Sequence, residues 1–186
     1  MVPEGCDDMR SPPPSFIRWS PSKSWFFVKL NFDGFMVNQG ATVGFMIRNE
    51  KGEPIIVGAR FIGQNTISIV ECLALRDSLW MAWSKGLSCI VVKGDLKLAI
   101  EFIRGAYSPP WRLKSILEEI RWLASFFYDI CWKHVFREVN FLMNAITSIG
   151  YSVADFHVWD RTLPLAARQA CLFDCTQTEC PKGFSL

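Results

Sequence analysis

The sequence lacks the cysteine patterns that would define its class at once. Its seven cysteines are odd in number and scattered, and they form no Cys-x-x-Cys pair. This arrangement favours reduced thiols in an intracellular protein over a disulfide framework. Cys171, Cys175 and Cys180, together with His157, match none of the usual spacings of zinc sites.

The chain also lacks a secretory signal and a membrane-spanning run. Residues 1–15 carry Glu4, Asp7, Asp8 and three consecutive prolines instead of an apolar segment, and no later apolar run reaches spanning length. We therefore expect a soluble, intracellular protein, with nucleus, cytosol and organelle left open. The formal net charge of +2 is compatible with nucleic-acid binding, but it does not favour such binding over an ordinary solvated surface.

The amino-acid composition indicates one globular domain with tails. Of the 186 residues, 50% are hydrophobic and 20% are charged, which is enough to build one well-cored domain. Residues 1–22 are rich in proline and serine and predict a flexible lead. We predict a single domain over 23–150 and a C-terminal tail over 151–186.

Hydrophobic periodicity predicts nine elements in the domain. The predicted strands lie at about 25–33, 41–48, 54–62, 88–93 and 128–135, and the predicted helices at about 69–85, 96–104, 111–127 and 140–149. A turn at 49–52 joins the second and third strands as a hairpin. Three consecutive strands followed by β-α-β units predict an α/β fold, in which helices flank a five-stranded mixed sheet.

Two acids stand at predicted strand ends. Alternation along the first strand places Asp33 on the opposite face from Leu30 and Phe32. If the first and fourth strands are adjacent and parallel, Asp33 and Asp95 meet at one sheet edge, where open α/β sheets hold ligands. Simpler roles exist for each acid. Asp33 could begin a turn with Gly34, Asp95 could cap the next helix, and Glu71 could complement a helix N-terminus.

Five motifs, in order and with similar gaps, resemble the ribonuclease H-like domain. The nearest similarity is to plant reverse-transcriptase-like members, which are related to non-LTR retroelements. The match extends over roughly residues 19–150, and its motifs are residues 29–34, 44–49 with Gly52, 71–75, 94–97 and 134–140.

The resemblance implies a four-acid site that holds two Mg²⁺ ions and hydrolyses the RNA strand of an RNA–DNA hybrid. By their places in the motifs, Asp33, Glu71 and Asp95 are the expected catalytic and metal-ligating acids, and Asn144 stands where the family carries a fourth acid. Mg²⁺ prefers oxygen ligands, and Mn²⁺ accepts the same donors. Two ions about 4 Å apart can activate a water and stabilise the leaving oxygen.

Asn144 is the departure from the family pattern. Its amide offers a carbonyl oxygen but no negative charge, so we predict reduced hybrid-ribonuclease activity. The alternatives are a catalytically inactive module that binds nucleic acid or protein, and a domesticated retroelement remnant without a biochemical role. We further expect a monomer with no membrane association and no small-molecule cofactor.

Overall fold

The elements of the chain are described here from a computed structural model, which covers residues 16–17, 27–94, 97–105, 108–134, 141–175 and 180–181. The strands are β1 Phe16–Ile17, β2 Val28–Val37, β3 Gly40–Arg48, β4 Pro54–Gly63, β5 Cys89–Gly94, β6 Asp129–His134, β7 His157–Asp160 and β8 Cys180–Pro181. The helices are α1 Ile67–Ser84, α2 Lys97–Ile103, α3 Trp111–Ala124, α4 Phe141–Ile149 and α5 Leu165–Cys175. All nine predicted elements are confirmed, with bounds that differ by a few residues.

The main sheet has six strands in the order β6-β5-β2-β3-β4-β7. Strands β2, β3, β4 and β7 pair antiparallel, whereas β5 pairs parallel to both β2 and β6. The predicted mixed sheet is therefore confirmed with one strand more than the five predicted. The additional strand is β7, which pairs with β4 and comes from the predicted tail.

Two short strands outside the main sheet connect the predicted lead to the predicted tail. Phe16 and Ile17 of β1 pair antiparallel with Pro181 and Cys180 of β8. The remainder of residues 1–26 lies outside the described residues. The division of the chain into lead, domain and tail stays a prediction.

Strand β2 continues past the position where the sequence predicted its end. Asp33 pairs with Gly44 and Gly34 pairs with Val43, and the ladder continues to Val37. Asp33 therefore lies inside a strand, and the alternative that it begins a turn with Gly34 is wrong. Glycine often ends a strand, but Gly34 has no positive φ; its small size serves the packing of α1.

Helices cover the two faces of the sheet with separate apolar cores. On one face, α1 packs against β2 and β3, and α3 packs against α1. This face contains the larger core, which includes Leu30, Phe32, Phe45 and Leu79. On the other face, α4 packs against β2, β3, β4 and α5 around a smaller core. Strand β3 lies between the two cores and is buried along its whole length.

Turn chemistry agrees with the prediction for the hairpin between β3 and β4. The Asn49 side-chain oxygen accepts hydrogen bonds from the backbone N–H groups of Lys51 and Glu53 at 3.0 and 2.9 Å, and Gly52 has a φ of 84°. An asparagine that holds its own turn in this way fixes the register of the hairpin. Across the described part of the chain, no helix is both long and apolar enough to cross a membrane.

Candidate active site

Asp33 is a buried carboxylate in the interior of the sheet. Asp33 exposes only 1% of its surface to solvent. Cross-strand partners share a face of the sheet, so Asp33 lies on the same face as its partner Gly44. A Cβ atom on Gly44 would lie 2.9 Å from Cγ2 and 3.2 Å from the backbone nitrogen of Thr147 in α4. Asp33 therefore belongs to the face that α4 covers.

Glu71 is brought to the same region by the close approach of α1. A Cβ atom on Gly34, the residue after Asp33, would lie 3.0 Å from the backbone nitrogen of Glu71 and 2.6 Å from Cγ1 of Val70. A side chain at position 34 would therefore push the helix away. The glycine sets the contact between β2 and α1 at the residue that carries the second acid.

Glu71 is also too deep in α1 to act as an ordinary first-turn acid. The helix begins at Ile67, and its first turn contains no acid. Glu71 is 7% exposed, and the favourable field of a helix N-terminus falls off within the first turn. The alternative that Glu71 merely complements the helix dipole is therefore wrong, since a buried carboxylate needs a stronger reason.

The parallel register of β2 and β5 relates Asp33 to the described end of β5. The pairing of β2 with β5 ends at Asn31 and Lys93, and a Cβ atom on Gly94 would contact the ring of Phe32. The described part of β5 therefore stops just before the level of Asp33. On β2, Asp33 lies on the face that α4 covers, and the next residue, Gly34, contacts α1 at Glu71.

Asp95 follows Gly94, the last residue of β5, in the sequence and lies outside the described residues. Its predicted place beside Asp33 follows from the end of β5 at Gly94, in parallel register with β2. Its role as a third acid stays a prediction, as does the alternative that it caps α2.

Asn144 lies in α4, one turn before the contact with the sheet. It is partly buried, and its backbone oxygen accepts hydrogen bonds from Oγ1 of Thr147 at 3.0 Å and Oγ of Ser148 at 2.7 Å. Residues three apart share one side of a helix, so Asn144 lies on the side of α4 that meets Gly44 through Thr147. The structure thus brings α4 to the cross-strand partner of Asp33.

Three glycines therefore allow other elements to close around Asp33. Gly34 admits α1, Gly44 admits α4, and Gly94 admits the ring of Phe32. All three belong to the motifs that carry the family resemblance, but the sequence did not show what they do. Gly34 follows Asp33 in the sequence and Gly44 pairs with Asp33, whereas Gly94 ends β5 and meets the ring of Phe32.

A group of cationic side chains on the same face was not predicted. Lys29 of β2 lies opposite Arg48 of β3. On the other side of β2, Asn31 lies opposite Lys93 of β5, which in turn lies opposite Lys133 of β6. Arg48 donates a hydrogen bond from Nη2 to Oδ1 of Asn31 at 3.2 Å. Lys29 and Arg48 are 2% and 1% exposed. We call Lys29, Arg48, Lys93 and Lys133 the cationic group.

Two lysines of the cationic group, Lys29 and Lys93, have lowered pKa values. Burial, followed by repulsion from Lys93, Arg48 and Lys133, lowers the pKa of Lys29 to about 6. Burial and the charges of Lys133 and Arg48 lower the pKa of Lys93 to about 8. Alternation along β2 places Lys29 and Asn31 on the face of Asp33, so the cationic group lies on the sheet face that carries the buried acid.

The chemistry of Cys72 excludes its thiol from the site at neutral pH. Burial, followed by the negative charge of Glu71, raises the pKa of Cys72 to about 12. A protonated thiol is neither a nucleophile nor a metal ligand. Cys72 therefore acts as the small buried residue that the sequence predicted.

The side-chain oxygen atoms of Asp33, Glu71 and Asn144 are of the kind that a hard divalent cation prefers. Asp33 Oδ2 and Glu71 Oε2 are both buried oxygen atoms, and Asn144 offers an amide oxygen. Oxygen donors of this kind suit Mg²⁺ and Mn²⁺. No group of three or more His, Cys, Asp or Glu side chains forms a metal cluster within the described ranges, which agrees with an asparagine at position 144 and with Asp95 lying outside those ranges.

Comparison with known proteins supplies a family and a fold. The family model described as reverse transcriptase-like matches residues 31–147. Ribonuclease H1 from the archaeon Halobacterium salinarum superposes with a TM-score of 0.62 at 26% identity, covering 68% of this chain and 98% of that one. The comparison with curated proteins gave no match.

Two further solved structures extend the similarity. The N-terminal ribonuclease H domain of a Mycobacterium tuberculosis protein has a TM-score of 0.62 at 23% identity, covering 68% of this chain and 94% of that one. LC11 ribonuclease H1, solved in complex with an RNA/DNA hybrid, has a TM-score of 0.58 at 21% identity, covering 65% and 94%. The predicted ribonuclease H-like fold is confirmed, and the predicted plant and retroelement relationship stays a prediction.

Proposed function

This chain belongs to the reverse transcriptase-like family, and we propose that it binds RNA–DNA hybrids and hydrolyses their RNA strand beside Asp33. The observation that carries the proposal is the contact between Gly34 and the backbone of Glu71. This contact joins the strand of one buried acid to the helix of another. A divalent cation held by both of these buried acids would offset part of the cost of burying their charges.

The residues that would hold Mg²⁺ or Mn²⁺ are Asp33, Glu71, Asp95 and Asn144. When bound, a pair of such ions supplies an activated water and stabilises the leaving oxygen of a phosphodiester. Asp33 contributes a buried carboxylate within the rigid sheet, and Glu71 contributes a second from the well-packed part of α1. Placement on such elements holds the ligands more firmly than placement on loops.

The selectivity proposed for a hybrid substrate comes from its shape. Hydroxyl groups at the 2′ position line the shallow minor groove on one strand, and a deoxyribose backbone forms the other. The solved relative in complex with an RNA/DNA hybrid covers 65% of this chain, which supports a surface of similar shape here. Arg48 and Lys133 of the cationic group add positive charge on the Asp33 face, which favours the approach of a polyanion.

Asn144 makes the proposed activity weaker than that of a four-acid site. Its amide gives an oxygen donor without a charge, so the second ion is held less tightly. We expect Asn144→Asp to increase the rate of hybrid cleavage at limiting Mg²⁺ concentration, with a smaller gain at saturating Mg²⁺. Single-turnover cleavage across a Mg²⁺ titration measures both effects, and Ser148→Asp, one turn further along α4 and exposed, is the matched control.

The second candidate is a module that binds hybrids without cleaving them. The observation that favours it is also Asn144, because loss of one acid is a direct route to loss of metal-dependent catalysis. Asn144→Asp separates the two candidates. An increase in cleavage supports the enzyme, and an unchanged rate at every Mg²⁺ concentration shows that position 144 is not on the reaction path.

The direct test is cleavage of a hybrid labelled on its RNA strand, with Mg²⁺ or Mn²⁺ present. The chain should cut the RNA strand, Asp33→Asn should not, and Asp155→Asn, which changes an exposed aspartate, should behave as the unchanged chain. A folded protein that binds the hybrid and leaves it intact supports the second candidate. A folded protein that neither binds nor cuts the hybrid contradicts both.

A further inference from the structure

Helix α4, which carries Asn144, is too short to keep its position by itself. It has 9 residues, Phe141–Ile149, and helices shorter than about 12 residues are marginal in water without tertiary packing. Ser148 is its one exposed residue. Its most deeply buried apolar side chains, each at most 1% exposed, are Leu142, Met143 and Ile146. The place of Asn144 therefore depends on the elements that pack around α4.

The sheet supports one side of α4 through two close contacts. A Cβ atom on Gly44 of β3 would lie 2.9 Å from Cγ2 of Thr147 and 3.1 Å from Cγ2 of Ile146. Just after the helix, a Cβ atom on Gly150 would lie 2.9 Å from Cβ of Thr42, also in β3. These contacts set the distance between α4 and β3. They leave the lateral position of α4 over the sheet to whatever packs beside it.

Helix α5 packs beside α4. Its buried residues are small and follow helical spacing, since Ala167, Ala170 and Cys171 are 0%, 9% and 8% exposed. Residues three and four apart share one side of a helix, so these three residues form one stripe. The stripe lies in the smaller core together with the three buried residues of α4. Because the distance between two helices depends on the side chains between them, small residues here let α5 approach α4 closely.

The smaller core lies on the side of α4 that faces β4. Its members from the sheet and the residue of β7 packed against it are Met46, Val57, Ala59 and Trp159. Asp33 stands on β2, which lies on the other side of β3 in the sheet. Residues two apart lie on nearly opposite sides of a helix, so Asn144 points away from Leu142, which this core buries. Helix α5 thus supports the side of α4 that is opposite to Asn144.

Helix α5 is itself tied to the sheet by β7. Strand β7 pairs antiparallel with residues 56–59 of β4. Nζ of Lys85, which follows α1, donates a hydrogen bond to Oδ2 of Asp160 at 2.9 Å. The backbone N–H of Arg161 donates to the backbone oxygen of Ile55 at 3.0 Å. Only residues 161–164 lie between β7 and α5, so the start of α5 is held to the same sheet that supports α4.

We propose that α5 is a positioning helix of the candidate metal site, with Ala167 as its central positioning residue. By packing on the side of α4 that faces β4, α5 holds α4 in place over the sheet and keeps Asn144 toward Asp33. Residues of the predicted tail are then needed to complete the site. The inference rests on the proposed function, since it assigns Asn144 to the site that holds the metal ions.

The variant that tests the contact is Ala167→Leu, with Ala166→Leu as its matched control. Ala167 is fully buried, whereas Ala166 is exposed. Both changes enlarge the same helix by the same atoms, but only Ala167→Leu enlarges the buried stripe, and overpacking displaces the neighbouring element. Hydrogen exchange of the backbone amides of α4 should be faster in Ala167→Leu and unchanged in Ala166→Leu. Exchange in α1 should be the same in both variants.

Mn²⁺ binding separates a positioning role from a loss of stability alone. Measured by electron paramagnetic resonance, Ala167→Leu should weaken Mn²⁺ binding about tenfold, which is the size of effect expected when a group that orients a metal ligand is lost. Asn144→Ala should weaken binding by a similar factor. Adding Ala167→Leu to Asn144→Ala should change the affinity little further, because both changes act through one ligand. A purely structural role would lower the stability to urea and leave the Mn²⁺ affinity of the folded protein as it is.

The outcomes distinguish failure of this inference from failure of the proposed function. Tight Mn²⁺ binding that Ala167→Leu leaves unchanged overturns the inference alone. An equal loss from Ala167→Leu with and without Asn144→Ala also overturns it, because α5 then acts through another ligand. An unchanged chain that binds no Mn²⁺ contradicts the proposed function and the inference with it. If Ala167→Leu does not fold, Ala170→Val adds a smaller side chain to the same stripe and is judged by the same results.

Discussion

The two faces of the main sheet differ in what they bury. The α1 face buries a continuous apolar core that extends from β2 and β3 through α1 to α3. The α4 face buries a smaller apolar core, and beside it Asp33, Asn31, Lys29 and Arg48. The same strand β2 supplies both faces, because its side chains alternate. The larger apolar core therefore lies on the α1 face, and the buried residues Asp33, Lys29 and Arg48 lie on the α4 face.

This difference shows how one strand can serve structure and function together. Leu30 and Phe32 anchor β2 in the larger core, and Asp33 extends from the other side of the strand fixed in this way. The apolar packing on the other face of the sheet offsets the free-energy cost of burying this carboxylate. At the residue after Asp33, Gly34 brings α1 close to β2 at Glu71.

The largest expected effect comes from truncation in the larger core. Leu79→Ala on the α1 face should lower the free energy of unfolding by about 2–5 kcal/mol, because Leu79 is fully buried. The matched change on the other face is Leu142→Ala, at a residue that is 1% exposed. We expect the smaller loss there, measured by urea unfolding. An equal or larger loss for Leu142→Ala would show that the two cores contribute alike.

The next effect concerns the contact between the two faces. Gly34→Ala should lower the free energy of unfolding by about 1–3 kcal/mol, because the added methyl group meets Val70 and the Glu71 backbone. It should also weaken binding of Mn²⁺, since it shifts α1. Combining it with Val70→Ala removes the side-chain contact and leaves the backbone contact, so the double variant should lose less than the sum of the single variants. Strict additivity would contradict the proposed contact.

A smaller effect concerns the cationic group of the α4 face. Lys29 is protonated in the unfolded chain up to about pH 10, whereas its pKa in the folded chain is about 6. Between these values the unfolded state binds more protons, so Lys29 makes stability rise with pH. Lys29→Met should stabilise the chain near pH 7 and flatten that rise. Lys51→Met, at an exposed lysine in a turn, should leave the pH dependence of urea unfolding as it is.

Periodicity and turn residues predicted most of the fold. The alternation that separated Asp33 from Leu30 and Phe32 is confirmed by the two cores, and the hairpin at 49–52 follows from Asn49. The sequence predicted that this strand ends at about residue 33, whereas β2 continues to Val37. The reason is that a glycine can either end a strand or lie within one. Gly34 and Gly52 both follow apolar strands, yet only Gly52 has the positive φ of a turn. The conformation of a glycine depends on neighbours that are distant in sequence.

The tail and the cationic group could not be predicted for related reasons. Residues 157–160 are too few to carry a strand pattern of their own, and they become β7 because β4 offers them an edge. Lys29, Arg48, Lys93 and Lys133 come from four different strands, so only the register brings them together. The positions of Asp33 and Glu71 were inferred from the family motifs, and the geometry of Gly34 now gives a physical reason for them.

The central claim is that Asp33 and Glu71 serve one metal site. Its most direct test is Mn²⁺ binding, followed by electron paramagnetic resonance, in the unchanged chain, Asp33→Asn, Glu71→Gln and the double variant, with Asp155→Asn as the control. We predict that each single change removes most of the tight binding and that the double variant loses little more, because both residues hold the same ions. Independent, additive losses, or tight binding that survives both changes, would contradict the claim.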